Sequence, residues 1–335
     1  MFLIFGLIII LVAGFFQGTF ILPLSYTTKW KWENTWLAFS LLGMIVLNWI
    51  WAFIFIPELL TIYSTVPASN LAILILFGLG WGLGAVLFGI GMDKLGMALG
   101  YPVIMGLTAS IGGLLPLFIQ QPENILQLSG IVLITGVIIA LVGIIICSKA
   151  AAIKSTYDAI NVKKDKLTAG IIIAIAAGVL SSLPNMGFSF GTAVTQAAIE
   201  RGTSPALAGN SVWALFFSFG FIPNLIYTVW LMIKNKTYYT IITGLTIKNT
   251  GLSLLMAVLW IGSFYLYGFS SYNLGDLGKI VGWPLFISIS IVVGNLWGLW
   301  KGEWRNSSKR ARTMLNIGLV VLIIALIIFC ISNIL

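Results

Sequence analysis

No histidine occurs among the 335 residues, only two cysteines do, and charged side chains make up just 8% of the chain. Without histidine, the commonest metal ligand and the side chain that titrates near neutrality are both missing. Cys147 and Cys330 lie inside apolar runs, so neither a disulfide framework nor a cysteine-rich metal site is available. So little charge beside 59% hydrophobic residues excludes a soluble globule, which could not hide its apolar surface. Ten-residue segments of alternating polarity are also lacking, which excludes a transmembrane β-barrel. No basic residue precedes the first apolar block, and that block is longer than the apolar core of a secretory signal. It is therefore expected to be a retained first span.

What is present is a series of apolar blocks, most near or above the roughly 20 residues a helix needs to cross a bilayer. They fall at approximately 2–24, 36–57, 70–92, 95–117, 125–148, 168–199, 205–233, 249–272, 278–300 and 311–333. The expected fold is an all-α polytopic membrane protein of ten transmembrane helices. Of the 18 basic residues, 16 fall in alternate loops, and only Arg201 and Lys279 lie on the other side. By the positive-inside rule those loops are cytoplasmic and both termini lie outside. This bias accounts for the net charge of +9, so nucleic acid is not an expected partner.

The longest polar segment divides the chain into a first five-helix repeat at 1–150, a cytoplasmic linker at 151–166 and a second repeat at 167–335. Because five is odd, the second repeat enters the membrane in the opposite sense. A motif echo supports the division. Leu95-Gly96-Met97-Ala98-Leu99-Gly100-Tyr101-Pro102 in the fourth span returns as Leu277-Gly278-Lys279-Ile280-Val281-Gly282-Trp283-Pro284 in the ninth. Two glycines a turn apart allow close helix approach, and the proline removes a helix hydrogen bond. Inverted halves with Gly/Pro-broken helices at matching positions are the architecture of many secondary transporters. The glycines of Gly78-Leu79-Gly80-Trp81-Gly82-Leu83-Gly84 lack a Gly-Lys-Ser/Thr ending and read as helix packing. The third and fourth spans then form a tight hairpin about Met92-Asp93-Lys94. Ser181-Ser182-Leu183-Pro184-Asn185 marks a break in the sixth span.

Polar groups near mid-span are Gln17, Asn48, Trp81, Thr108, Asn185 and Trp260, with Tyr101, Tyr265, Trp283 and Asn295 within about two turns. Amides and indoles suit a neutral polyhydroxylated ligand, because amides donate and accept hydrogen bonds while aromatic faces pack on C–H patches. Gln17, Asn48, Trp81, Tyr101, Asn185, Trp260 and Trp283 are the candidate substrate-binding residues. Tyr101 and Trp283, beside the two prolines, are candidate inner and outer gates. The tryptophans Trp30, Trp32, Trp36, Trp49, Trp51, Trp297, Trp300 and Trp304 read instead as interfacial belts or loops. No carboxylate lies at mid-membrane: Glu33, Asp158, Asp165 and Glu303 read as cytoplasmic loop residues, and Glu58, Glu123 and Glu200 as outer ones. The coupling candidates are Asp93 and Asp276, which abut the two motif copies.

These pieces resemble the bacterial L-rhamnose/proton symporter family of the drug/metabolite transporter superfamily. The resemblance is carried by Lys29-Trp30-Lys31-Trp32-Glu33-Asn34-Thr35-Trp36, the glycine run of the third span with Leu76-Phe77 before it, Met92 to Gly100, and Glu303-Trp304-Arg305-Asn306. It implies two inverted five-helix repeats, a central cavity and uptake of a small sugar across the bacterial inner membrane. The chain departs from that family in having Lys279-Ile280-Val281-Gly282-Trp283 where relatives carry an acidic residue before the tryptophan, and in lacking their histidines. The coupling ion is open between H+ and Na+, and no cofactor is expected. The expected partners are a small-molecule substrate, a sugar, and the lipid bilayer; monomer and homodimer both fit. The leading reading is an alternating-access importer of a monosaccharide such as a deoxyhexose, with its site between the halves. A facilitator, or an exporter of another small polar or amphipathic metabolite, is the alternative within transport. A membrane enzyme on lipid-linked sugars is disfavoured, because the acidic or histidine groups it needs near the interface are scarce.

Overall fold

In hydrocarbon every backbone N–H and C=O must be satisfied within the segment, which leaves the helix as the spanning form for runs like these. The computed structural model describes residues 2–155, 164–243, 246–275, 278–332 and 334. Among these there is no strand, and ten helical stretches are long and apolar enough to cross a membrane. They are Leu3–Tyr26, Trp32–Phe55, Ala68–Met92, Val103–Gln120, Leu128–Lys154, Thr168–Glu200, Pro205–Lys234, Thr246–Asn273, Gly278–Trp300 and Lys309–Ser332. The protein is an all-α, multi-pass membrane protein.

Two starts differ from the apolar pattern. The second span begins at Trp32, so Glu33, expected in a loop, lies in the first helical turn and is buried. Its carboxylate Oε1 accepts from Asn235 Nδ2 at 3.0 Å and Thr237 Oγ1 at 2.8 Å, which is how a buried charge finds partners. The third and fourth spans belong to one helical stretch, Ala68–Gln120, with no break in helical backbone. Straight, it would measure about 80 Å. Yet the rings of Phe88 and Tyr101 lie 6.5 Å apart, and a Cβ at Gly91 would stand 3.4 Å from Ile104 Cδ1. Contacts across thirteen residues require the chain to double back, so the expected hairpin forms while its turn keeps helical hydrogen bonding.

Three spans are interrupted. The second passes through a π-helical segment, Leu41–Leu47, between Trp32–Ser40 and Asn48–Phe55. The sixth is Lys164–Ser181, Leu183–Phe190 and Thr192–Glu200. Its first break is the Ser-Ser-Leu-Pro stretch, where Ser182 Oγ donates to the Val179 carbonyl at 2.7 Å. The seventh opens with Pro205–Ala208 and a 3-10 turn, Gly209–Val212, before Trp213–Lys234, which contains Pro223.

The chain forms two compact units, one of Met1–Leu83 with Met186–Asn273, the other of Gly84–Asn185 with Leu274–Leu335. In the first, Gly78 and Gly82 press onto the backbone of Phe216 and Gly220, so that the Gly-x-x-x-Gly face seats the third span directly on the seventh. The first span lies along the eighth, where Ser270 Oγ donates to the Gly6 carbonyl at 2.7 Å. In the second unit the fifth and tenth spans pack lengthwise. Gly143 admits Leu322, Gly136 admits Phe329, and Ser332 Oγ donates to the Ser129 carbonyl at 2.8 Å.

Candidate functional site

Trp81 and Trp260 each occupy the middle of a span, the third and the eighth. Their rings stack, with centroids 5.7 Å apart and planes 21° from parallel. Glycines make the space: a Cβ at Gly220 would collide with the Trp81 ring at 2.7 Å, and one at Gly43 would stand 3.3 Å from Trp260 Cε3. Gly43 lies in the π-helical segment, whose wider turn carries the second span past the indole. Phe217 closes on both rings, 5.1 Å from Trp81 and 4.7 Å from Trp260, and Phe39 and Phe264 meet Trp260 edge-on. Trp260 is buried, whereas Trp81 is half-buried. Among the described residues the Trp81 indole N–H has no hydrogen-bond partner.

Gln17 reaches the same neighbourhood from the first span. Its Oε1 accepts from Ser263 Oγ at 2.8 Å, and that hydroxyl lies 2.6 Å from the Trp260 carbonyl. The Gln17 amide nitrogen has no partner among the described residues, and the side chain is half-buried. Asn48 is fully buried and committed: Nδ2 donates to the carbonyls of Met44 and Trp213 at 3.1 and 2.9 Å, and Tyr265 Oη donates to its carbonyl at 3.1 Å. Four of the seven candidates, Gln17, Asn48, Trp81 and Trp260, thus sit in the first unit around one aromatic cluster.

The other three belong to the second unit. Asn185 Nδ2 donates to the carbonyls of Gly112 at 2.6 Å and Lys279 at 2.9 Å. Trp283 is buried against Gly112, and its Nε1 donates to the Thr108 carbonyl at 3.0 Å. Pro284 fills the space left by Gly113. Tyr101 is half-buried, edge-on to Phe88. The side chain of Asp93 and the whole of Asp276, the coupling candidates, lie outside the described residues. Among the described carboxylates only Glu33 is buried.

The model of the L-rhamnose-proton symport protein family matches residues 1–333. The chain belongs to that family. L-rhamnose-proton symporters of Escherichia coli O1:K1 / APEC, Shigella sonnei (strain Ss046) and Shigella boydii serotype 18 are each 26% identical to it over 322 residues, covering 94% of this chain and of each relative. It is a transport protein, and symport requires no cofactor and no covalent chemistry.

Within the family fold, sequence reasoning missed Phe217, Phe264, Ser263 and the glycines Gly43 and Gly220. Phenylalanines in apolar helices carry no distinguishing signal. Ser263, three residues from Trp260 on the same helix, was visible at i,i+3 spacing. Of the tryptophans assigned to belts, Trp32 and Trp300 are exposed, but Trp36 Nε1 donates to Asn224 Oδ1 at 3.0 Å and Trp49 Nε1 to Ser218 Oγ at 2.8 Å. An interfacial indole whose N–H finds a partner on another span doubles as an interhelical tie.

Proposed function

We propose that the chain is a secondary-active transporter that imports a small sugar, an L-rhamnose-like deoxyhexose, by alternating access coupled to proton symport. The observation that carries the reading is the stacked Trp81–Trp260 pair at mid-span, beside the donors of Trp81 and Gln17, which have no partner among the described residues. An aromatic face packs on the C–H side of a pyranose, while an indole N–H and an amide NH2 hold hydroxyl oxygens without requiring charge on the ligand. Membership of the symporter family along nearly the whole chain, and the names of its relatives, support the same substrate class.

Asn48, Asn185 and Trp283 spend their N–H groups on backbone carbonyls and in this reading shape walls, with Tyr101 and Trp283 as gates. Asp93 and Asp276 are assigned to proton coupling. A proton entering down a potential of 100 mV releases about 2.3 kcal/mol. Since about 1.4 kcal/mol is tenfold, that suffices to concentrate a neutral sugar roughly 50-fold. The repeats are assigned to 1–150 and 167–335 with the linker 151–166 between them. In this reading the protein lies in the bacterial inner membrane with both termini outside, an orientation that the distribution of basic residues supports.

The test is uptake of labelled L-rhamnose into liposomes holding the purified protein. Accumulation driven by an inward proton gradient and abolished by a protonophore is expected. Transport of an amphipathic drug or nucleobase, with none of any sugar on a panel, would overturn the reading.

A further inference from the structure

The positive-inside rule explains why cations collect at one end of a membrane protein, but it does not distinguish lysine from arginine. Here the two are distributed unequally. Three of the chain's four arginines, Arg305, Arg310 and Arg312, fall within eight residues at the junction of the ninth and tenth spans, with Lys309 among them and Lys301 four residues before. Arginine's planar fork matches phosphate oxygens in pairs, whereas lysine presents a point charge.

Two further features of this stretch run against fold stability. Lys309, Arg310 and Arg312 occupy the first, second and fourth positions of the helix Lys309–Ser332, whose first turn has no acidic residue. A helix N-terminus is the positive end of the dipole, so cations there are unfavourable unless an anion sits among them. Among the described residues no carboxylate forms an ion pair with these cations. The only ion pair among the described residues is Arg201–Glu58, in the other unit. Arg305, Lys309 and Arg310 are exposed, and their side chains have no hydrogen-bond partner among the described residues.

Arg312 is nevertheless fixed. Its Nη2 donates to the carbonyls of Arg305 at 2.9 Å and Ser307 at 3.2 Å, so the loop and the guanidinium hold each other in place. Around this cluster stand groups suited to the lipid boundary: Trp300 is 69% exposed and Trp297 meets it edge-on. Indoles of that kind mark headgroup level.

We infer that the rim formed by Arg305, Lys309, Arg310 and Arg312, flanked by Trp297 and Trp300, is a binding surface for the phosphate of an anionic phospholipid. The lipid phosphate supplies the negative charge that the first turn of the tenth span lacks, and its acyl chains lie against the exposed indole. Charge complementarity and position at the lipid boundary together select this occupant. The inference is independent of which solute the protein carries.

The experiment is thermal unfolding of the full-length protein in detergent, with added phosphatidylglycerol or phosphatidylcholine of the same chains. Phosphatidylglycerol is expected to raise the melting temperature by about 2–4 °C at saturating levels, and phosphatidylcholine to leave it unchanged. The R305Q/K309Q/R310Q variant is expected to lose that rise. K234Q/K236Q/K248Q, which removes equal charge from exposed positions in the other unit, is expected to keep it. R305K/R310K retains charge but not the fork and is expected to lose at least half of the rise; being conservative and exposed, it carries the test should the triple variant fail to fold. Equal responses to the two lipids, an equal loss in K234Q/K236Q/K248Q, a wild-type response of R305K/R310K, or the same rise with inorganic phosphate would overturn the inference.

Discussion

At the scale of the residue, Trp81 combines a half-buried ring held by stacking with an N–H that has no acceptor among the described residues. Trp81→Phe removes the donor and keeps an aromatic ring. A single hydrogen bond is worth about 0.5–1.5 kcal/mol net, so the half-saturation constant for sugar uptake is expected to rise roughly 2- to 12-fold with the melting temperature little changed. The glycine beneath the ring responds in the opposite manner. Gly220→Ala forces a Cβ onto the Trp81 ring at 2.7 Å, and overpacking of that kind costs about 1–3 kcal/mol. Its signature is a lower melting temperature in detergent. If Gly220→Ala unfolds like the wild type, the close packing of the third and seventh spans is wrong. Trp81 and Trp260 were legible as mid-span indoles, but their stacking was not, because hydropathy records depth and not the direction a side chain faces.

The elements show a similar division. The apolar blocks located all ten spans, since the cost of unsatisfied backbone in hydrocarbon leaves little freedom in their length. What the blocks could not reveal is irregular helix. Nothing in Leu41-Leu42-Gly43-Met44-Ile45-Val46-Leu47 distinguishes a π-helical from an α-helical run, because side chains from other spans select it: Gly43 against Trp260, and Asn48 tied to the Trp213 carbonyl. Glu33 is a second example. Polarity places it in a loop, yet Asn235 and Thr237 supply the donors that let it enter a buried helical turn. Glu33→Ala leaves those donors unpaired and is expected to destabilise the protein by about 1–3 kcal/mol. Glu33→Gln keeps an accepting oxygen and is expected to recover most of that loss in the same thermal unfolding assay. Proton-driven uptake should survive in Glu33→Gln; its abolition would move the coupling role to Glu33.

For the whole molecule the questions are topology and coupling. Single cysteines introduced near each terminus, in a background where Cys147 and Cys330 are replaced by serine, should react with an impermeant maleimide added outside intact cells. Protection of both would reverse the assigned orientation. Coupling is tested by replacing a carboxylate with its neutral isostere. Asp93→Asn or Asp276→Asn is expected to abolish accumulation driven by a pH gradient while leaving counterflow of preloaded sugar intact, because exchange needs no net proton movement. Without histidine, a carboxylate is the simplest group in this chain to load and release a proton.

The amino-acid order by itself determined that this is a ten-span helical membrane protein, because the bilayer imposes its thickness and its intolerance of bare backbone on any chain that crosses it. It also determined the mid-span indoles and amides and, through whole-chain similarity, the family. Only the tertiary structure decided which of those groups are spent on holding helices together and which remain open. Asn48, Asn185 and Trp283 look like Gln17 and Trp81 in sequence, but their N–H groups meet carbonyls from distant spans. The physical reason is that a polar group in a membrane interior takes whatever partner the fold brings within 3 Å, and that partner is rarely its neighbour in the chain.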